Sequence, residues 1–126
     1  MQVAHWLRSQ PEVAQVLHPG LPGAPGHEIW RRDFTGACSL FGVEFKHGFT
    51  PEDTHRFVEA LELFGIGASW GGYESLAVPT TGFVTRTAHG GKAFHGPIVR
   101  LHIGLEDVDD LTADLRHGLD VMGKKV

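Results

Sequence analysis

PIVRLHIGLEDVDDLTADLRHGLD, residues 97–120, holds both of the hydrophobic repeats that a mixed domain needs. In its first half Val99, Leu101 and Ile103 alternate with Ile98, Arg100 and His102, the two-residue period of a strand. In its second half Val108, Leu111, Leu115 and Leu119 recur at three- and four-residue intervals, which is one stripe of a helix. The change of period falls near Asp107, where acidic residues meet the positive end of the new helix. Arg116, His117, Lys124 and Lys125 lie toward its negative end.

Working outward, the other elements are shorter. Thr50 caps a helix whose first position is Pro51, with Glu52 and Asp53 in its first turn and Phe57, Val58, Leu61 and Phe64 as its apolar stripe. Before it, GACSLFGVEF (36–45) is apolar on both faces, with Cys38, Leu40 and Gly42 alternating against Ser39, Phe41, Val43 and Phe45. That pattern predicts an interior strand. VAQVLHP (13–19) is a strand candidate with Val13 and Leu17 on one side, and GLPGAPGHEIW (20–30) reads as a connector leading into one or two helical turns over HEIWRRDF. The chain opens on an uncapped helical face of Val3, Trp6 and Leu7, which predicts the end of a longer helix. Few helices and short connections give an α+β fold: a small, mostly antiparallel sheet with helices packed on one face.

Composition bounds the function classes. A chain of 126 residues with 41% hydrophobic and 21% charged side chains fits one domain. Its net charge of −4, with both signs scattered, argues against a nucleic-acid or anionic-membrane surface. No apolar run reaches the length of a membrane span. The single cysteine, Cys38, can form no internal disulfide, so the cytoplasm is the expected compartment. It has no basic neighbours in sequence, and a buried strand thiol is expected. The nine histidines supply neither an H-x-x-x-H pair nor a Cys/His cluster, so no metal site is expected, although His89 and His95 flank a Gly-rich loop.

Two places could carry chemistry. Arg100 stands mid-strand among buried residue types, where a permanently charged guanidinium needs an anion. Its planar fork suits a ligand carboxylate, but an internal salt bridge to Glu44 or Glu74 satisfies the same demand. Ser69 and Trp70, in GASWGGYESLAVP (67–79), sit at a bend next to Gly71 and Gly72. The glycines let backbone approach a ligand and the indole offers a fixed donor; a turn with a rim tryptophan is the structural alternative.

LFGIGASWGGYESL (63–76), followed by GPIVRLHIGLEDVDDLTADL (96–115), resembles the C-terminal part of the pyridoxal-phosphate-dependent trans-sulfuration (Cys/Met metabolism) enzymes, most of all the bacterial cystathionine β-lyases. VAHWLRSQPEVAQVLHPGLPGAPGHEIWRRDFTGACSLF (3–41) resembles the same family in register, so the likeness covers nearly the whole chain and is weakest over 80–95. The resemblance implies that Arg100 binds the substrate α-carboxylate and that Ser69 and Trp70 help to hold it. Where these lyases often carry an aromatic residue this chain has Ala68, which bears on the shape of the substrate side-chain pocket.

The family's cofactor chemistry needs a Schiff-base lysine, and none of Lys46, Lys92, Lys124 or Lys125 stands in the family's Ser-x-Thr-Lys setting. The resemblance therefore implies a single small C-terminal domain, 1–126, with the large pyridoxal-phosphate domain absent, no catalytic residue of its own and no activity alone. In the complete enzyme it would orient L-cystathionine, or another cysteine S-conjugate, for cleavage to homocysteine, pyruvate and ammonia in methionine biosynthesis. A stand-alone carboxylate-binding or oligomerisation module is the alternative. Either way, self-association is expected through the face that meets the large domain, with Trp6 in that exposed patch.

Overall fold

The computed structural model describes residues 1–82, 84, 85, 87 and 94–124; the expectations for His89, Lys92 and Lys125 lie outside the described residues. Its centre is β5 (Ile98–His102), hydrogen-bonded on both sides in a five-stranded sheet of order β1-β2-β5-β4-β3. The other strands are β1 (Val13–Leu17), β2 (Leu40–Phe45), β3 (Gly65–Ile66) and β4 (Leu76–Pro79). All neighbours run antiparallel except β3 and β4, which are parallel. The mostly antiparallel α+β expectation holds.

Register assigns each strand residue to a face. Phe41, Leu101 and Ala77 lie opposite one another, as do Val16, Val43 and Val99, and all six join the core. On this side pack α1 (Gln2–Arg8), α3 (Pro51–Glu59) and α4 (Val108–Gly123). The fourth helix, α2 (His27–Asp33), buries no residue. The other face carries Gly42, Arg100 and Val78 in one row and Leu40, His102 and Leu76 in the next. Among the described residues, loops and not helices pack on it.

The sequence stripes become contacts. Leu111, Leu115 and Leu119 of α4 are each 0% exposed. Fully burying such a side chain contributes about 1.5–3 kcal/mol, several times what an acidic first turn adds through the helix dipole. Packing, not charge, therefore holds α4. At Gly118 the two longest helices come close: a β-carbon there would stand 2.8 Å from Leu61 Cδ2 and 2.9 Å from Phe57 Cδ2. Thr50 and Asp53 form the reciprocal cap of α3, Thr50 N donating to Asp53 Oδ2 at 2.7 Å and Asp53 N to Thr50 Oγ1 at 3.3 Å.

Three expectations are corrected. A bulge between Val13 and Gln15 shifts the pairing of β1, so Val13 and Val16 face the core and Leu17 lies on the opposite face, against Gly42. Cys38 is exposed and precedes β2 rather than lying within it; its Sγ donates to Leu40 O at 3.2 Å, the contact of a turn leading into the strand. Trp6 is partly buried against the core, because α1 packs on both β1 and α4. It does not belong to an exposed patch.

The carboxylate of Asp114 is buried in α4 and accepts from Glu62 N at 2.8 Å and Leu63 N at 2.9 Å, tying the chain after α3 to α4. Replacing it with alanine leaves two amides unpaired, each at a cost of about 1–3 kcal/mol. Asp114→Ala is therefore expected to destabilise the domain by about 2 kcal/mol or more, read as a lower midpoint in urea unfolding with unchanged slope.

Candidate carboxylate site

β5 and the chain between β3 and β4 build the site together. Arg100 and His102 are two residues apart on one strand, so their side chains leave the sheet on the same, helix-free face. Above them runs the turn 67–75. Its geometry depends on Gly71, whose φ of 83° lies in the left-handed region that a residue with a β-carbon rarely adopts.

Each of the two strand residues grips one end of this turn. Arg100 Nη2 donates to Ala68 O, the carbonyl just before Ser69. His102 Nδ1 accepts from Gly71 N at 3.4 Å and lies 3.0 Å from Ser39 Oγ, while His102 Nε2 lies 2.9 Å from Gly72 O. A backbone N–H can only donate, so Nδ1 is the bare nitrogen and Nε2 carries the hydrogen donated to Gly72 O. His102 is buried, at 3% exposed, and all its polar capacity is used.

The internal salt bridge that could have absorbed Arg100 is not formed. Among the described residues the guanidinium has no carboxylate partner. Glu44 is engaged elsewhere: its carboxylate accepts from the Gln15 side chain, from His95 N at 2.6 Å and from Gly96 N at 3.0 Å. Those bonds anchor the return of the chain into β5. Ser69 and Trp70 are exposed, Trp70 at 66%, and neither side chain makes a hydrogen bond among the described residues. The arrangement places an unneutralised, partly exposed guanidinium beneath a turn that carries one free hydroxyl and one free indole N–H. The guanidinium and the indole N–H can only donate and the hydroxyl can donate as well, a set that fits an anion.

Glu106 fixes the far side of the turn. It accepts from Ser75 N at 2.9 Å and from Ser75 Oγ at 2.8 Å, and Ser75 Oγ in turn accepts from Gly104 N at 2.8 Å. Burial works to raise the Glu106 carboxyl, but the Ser75 amide, its own backbone and the Ser75 hydroxyl outweigh it, and the group lies below its ordinary value of 4.5.

Lys46 and Lys124 are both exposed, so neither has the water-shielded setting in which an amine acts as a Schiff-base former. No group of three or more His, Cys, Asp or Glu among the described residues could hold a metal ion. A separate groove of about 570 Å³ lies between β1 and the connector 19–25; Arg8, among its described lining residues, donates to Pro22 O at 2.9 Å. No helix of the described residues is long and apolar enough to cross a membrane. Sequence reasoning placed His102 on the strand beside Arg100 without giving it a part in the site, although the two-residue period marks both for one face.

A carboxyl held low in the folded state stabilises the fold above its unfolded value, and that contribution is lost as pH falls through the folded value. Stability is thus expected to drop as pH is lowered from 4.5. In Glu106→Gln this part of the drop should vanish, seen as a flatter plot of melting temperature against pH in the acid range.

Comparison with known proteins adds the family. The profile described as Cys/Met metabolism PLP-dependent enzyme matches residues 1–120. The chain is 46% identical over 120 residues to cystathionine beta-lyase MetC of Escherichia coli K12, covering 94% of this chain and 30% of that protein. It is also 46% identical over 121 residues to cystathionine beta-lyase of Salmonella typhimurium, with the same coverage. A crystal structure of metB from Corynebacterium glutamicum superposes with a TM-score of 0.79 at 33% identity, covering 94% of this chain and 31% of that one. The chain thus spans about 30% of the length of the curated relatives it matches. With the family profile running over nearly all of the sequence and the fold shared with a solved relative, the chain belongs to the Cys/Met metabolism PLP-dependent enzymes.

Proposed function

We propose that this chain is the substrate-orienting C-terminal domain of a cytoplasmic carbon–sulfur lyase that cleaves L-cystathionine to homocysteine, pyruvate and ammonia. Arg100 holds the substrate α-carboxylate through paired N–H donors, and Ser69 and Trp70 add the hydroxyl and the indole N–H. One observation above all supports this: Arg100 lacks a carboxylate partner among the described residues while its Nη2 reaches the residue before Ser69. Fixing the carboxylate limits rotation about Cα and so selects which bond to that carbon is presented for cleavage, the kind of positioning that accounts for much of enzymatic rate. Pyridoxal phosphate would supply the electron sink for that cleavage, held by residues outside this chain. Without that larger part of the enzyme the domain self-associates through the face that would meet it.

In a cystathionine β-lyase whose own C-terminal portion is exchanged for this chain, pyruvate release from L-cystathionine is expected. Arg100→Leu should lower kcat/KM by about tenfold to a hundredfold, from roughly 1.5–3 kcal/mol for hydrogen bonds to a charged group. A folded, cofactor-loaded exchange protein with unaltered kcat/KM after Arg100→Leu would remove the arginine from the site. The chain alone, treated with pyridoxal phosphate and borohydride, is expected to give no stoichiometric adduct. A single adduct that disappears when Lys46 or Lys92 is replaced would place a cofactor site within these residues.

A further inference from the structure

We propose that His102 is the positioning residue of this site: it holds the Trp70–Gly71–Gly72 turn in the conformation that presents Ser69 and Trp70 over Arg100. The inference rests on the carboxylate reading above and goes beyond it by naming what keeps the binding groups in place.

The argument starts from what the turn lacks. Ser69, Trp70, Gly71 and Gly72 are all exposed, and no side chain among them enters the core. Two adjacent glycines carry more backbone freedom than any other pair, so the turn begins with a large conformational entropy and no apolar burial to offset it. Beyond Gly72 the chain is tied down by Leu105 N donating to Tyr73 O at 2.9 Å and by Glu106 at Ser75, and what restrains the residues before that point are polar contacts of the backbone to β5. Arg100 supplies one, at Ala68 O, and His102 supplies two, at Gly71 N and Gly72 O.

The imidazole suits this task for a geometric reason. Its two nitrogens face different ways on a rigid ring, one as acceptor and one as donor, so a single side chain engages the N–H of one residue and the carbonyl of the next. The ring is itself fixed, because it is buried and lies against the Ser39 hydroxyl, whose residue is bonded to the end of β5 by Ile103 N donating to Ser39 O at 2.9 Å. Gly71 is the residue with left-handed φ, so the hydrogen bond to Nδ1 falls at the point where the chain reverses. His102 makes no hydrogen bond to a binding group itself; it acts through the backbone of Gly71 and Gly72, which follows Ser69 and Trp70 in the chain.

Freed of these bonds, the turn samples other conformations and the binding-competent fraction falls, lowering the apparent affinity by that fraction. Three replacements separate the functions of the ring. His102→Leu removes both contacts. His102→Gln keeps an amide N–H at the reach of Nε2 toward Gly72 O. Ser39→Ala leaves the imidazole in place but loosens its anchor, and so serves if the leucine variant folds poorly.

The test is NMR on the 15N-labelled chain, first without ligand and then titrated with L-cystathionine, with the sheet checked through the Val99 and Leu101 amides. In the unsubstituted chain the Trp70 and Gly71 amides are expected near the rigid order parameter of about 0.85, and toward about 0.6 in His102→Leu. The Trp70 indole resonance should shift saturably with L-cystathionine, with affinity lowered about tenfold in His102→Leu and largely restored in His102→Gln. Unchanged order parameters in both His102→Leu and Ser39→Ala would overturn the proposal, as would a loosened turn that binds with full affinity. A chain that shows no saturable indole shift before any substitution, or one untouched by Arg100→Leu, would overturn the carboxylate reading instead. The order parameters are measured without ligand and still show whether His102 holds the turn.

Discussion

Hydrogen bonding of β5 on both of its edges is the constraint on which the rest depends. A strand paired on both sides cannot rotate about its axis, so alternate residues are committed to opposite faces. Val99 and Leu101 enter the core beneath the helices, and Arg100 and His102 must then emerge on the side without helices. A slip of one residue would place a guanidinium among Phe57, Leu115 and Leu119, a burial no partner there could compensate. The apolar core thus enforces the position of the polar site.

The same geometry explains how polar groups on the helix-free face divide their work. Glu44 and His102 are as buried as core residues, and each is fully engaged with backbone of a neighbouring loop. Arg100, between them in the sheet, is left with donors to spare. A buried carboxylate and a buried imidazole that shape loops flank a cation that no carboxylate among the described residues neutralises, so the polar groups around that charge do not cancel it.

Much of this was legible in the sequence, for reasons that differ by element. β5 and α4 were readable because their periods are long and uninterrupted, and α3 because Thr50, Pro51 and Asp53 spell out its start. β3 and β4 were not, since two and four residues are too few to establish an alternation. The bulge in β1 inverted the expected roles of Val16 and Leu17, and nothing in VAQVL announces an extra residue. Cys38 was misplaced because composition says where a thiol is usually found, not where a strand begins. At the site, Arg100, Ser69 and Trp70 stood out as types ill suited to their settings, while His102 was placed on the strand beside Arg100 but given no part: its partners in the turn are backbone atoms, which carry no sequence signature.

The two ends of the sheet bear on how this domain meets others of its kind. A free edge offers a row of unpaired amides and carbonyls onto which a further strand can add. Here one edge, β3, is only Gly65 and Ile66 long, and the other, β1, is interrupted by its bulge at Ala14. Neither presents a flat template of useful length. Growth of the sheet from molecule to molecule, the route to fibrils, is blocked at both ends, so any pairing between copies must be made by side chains on the faces.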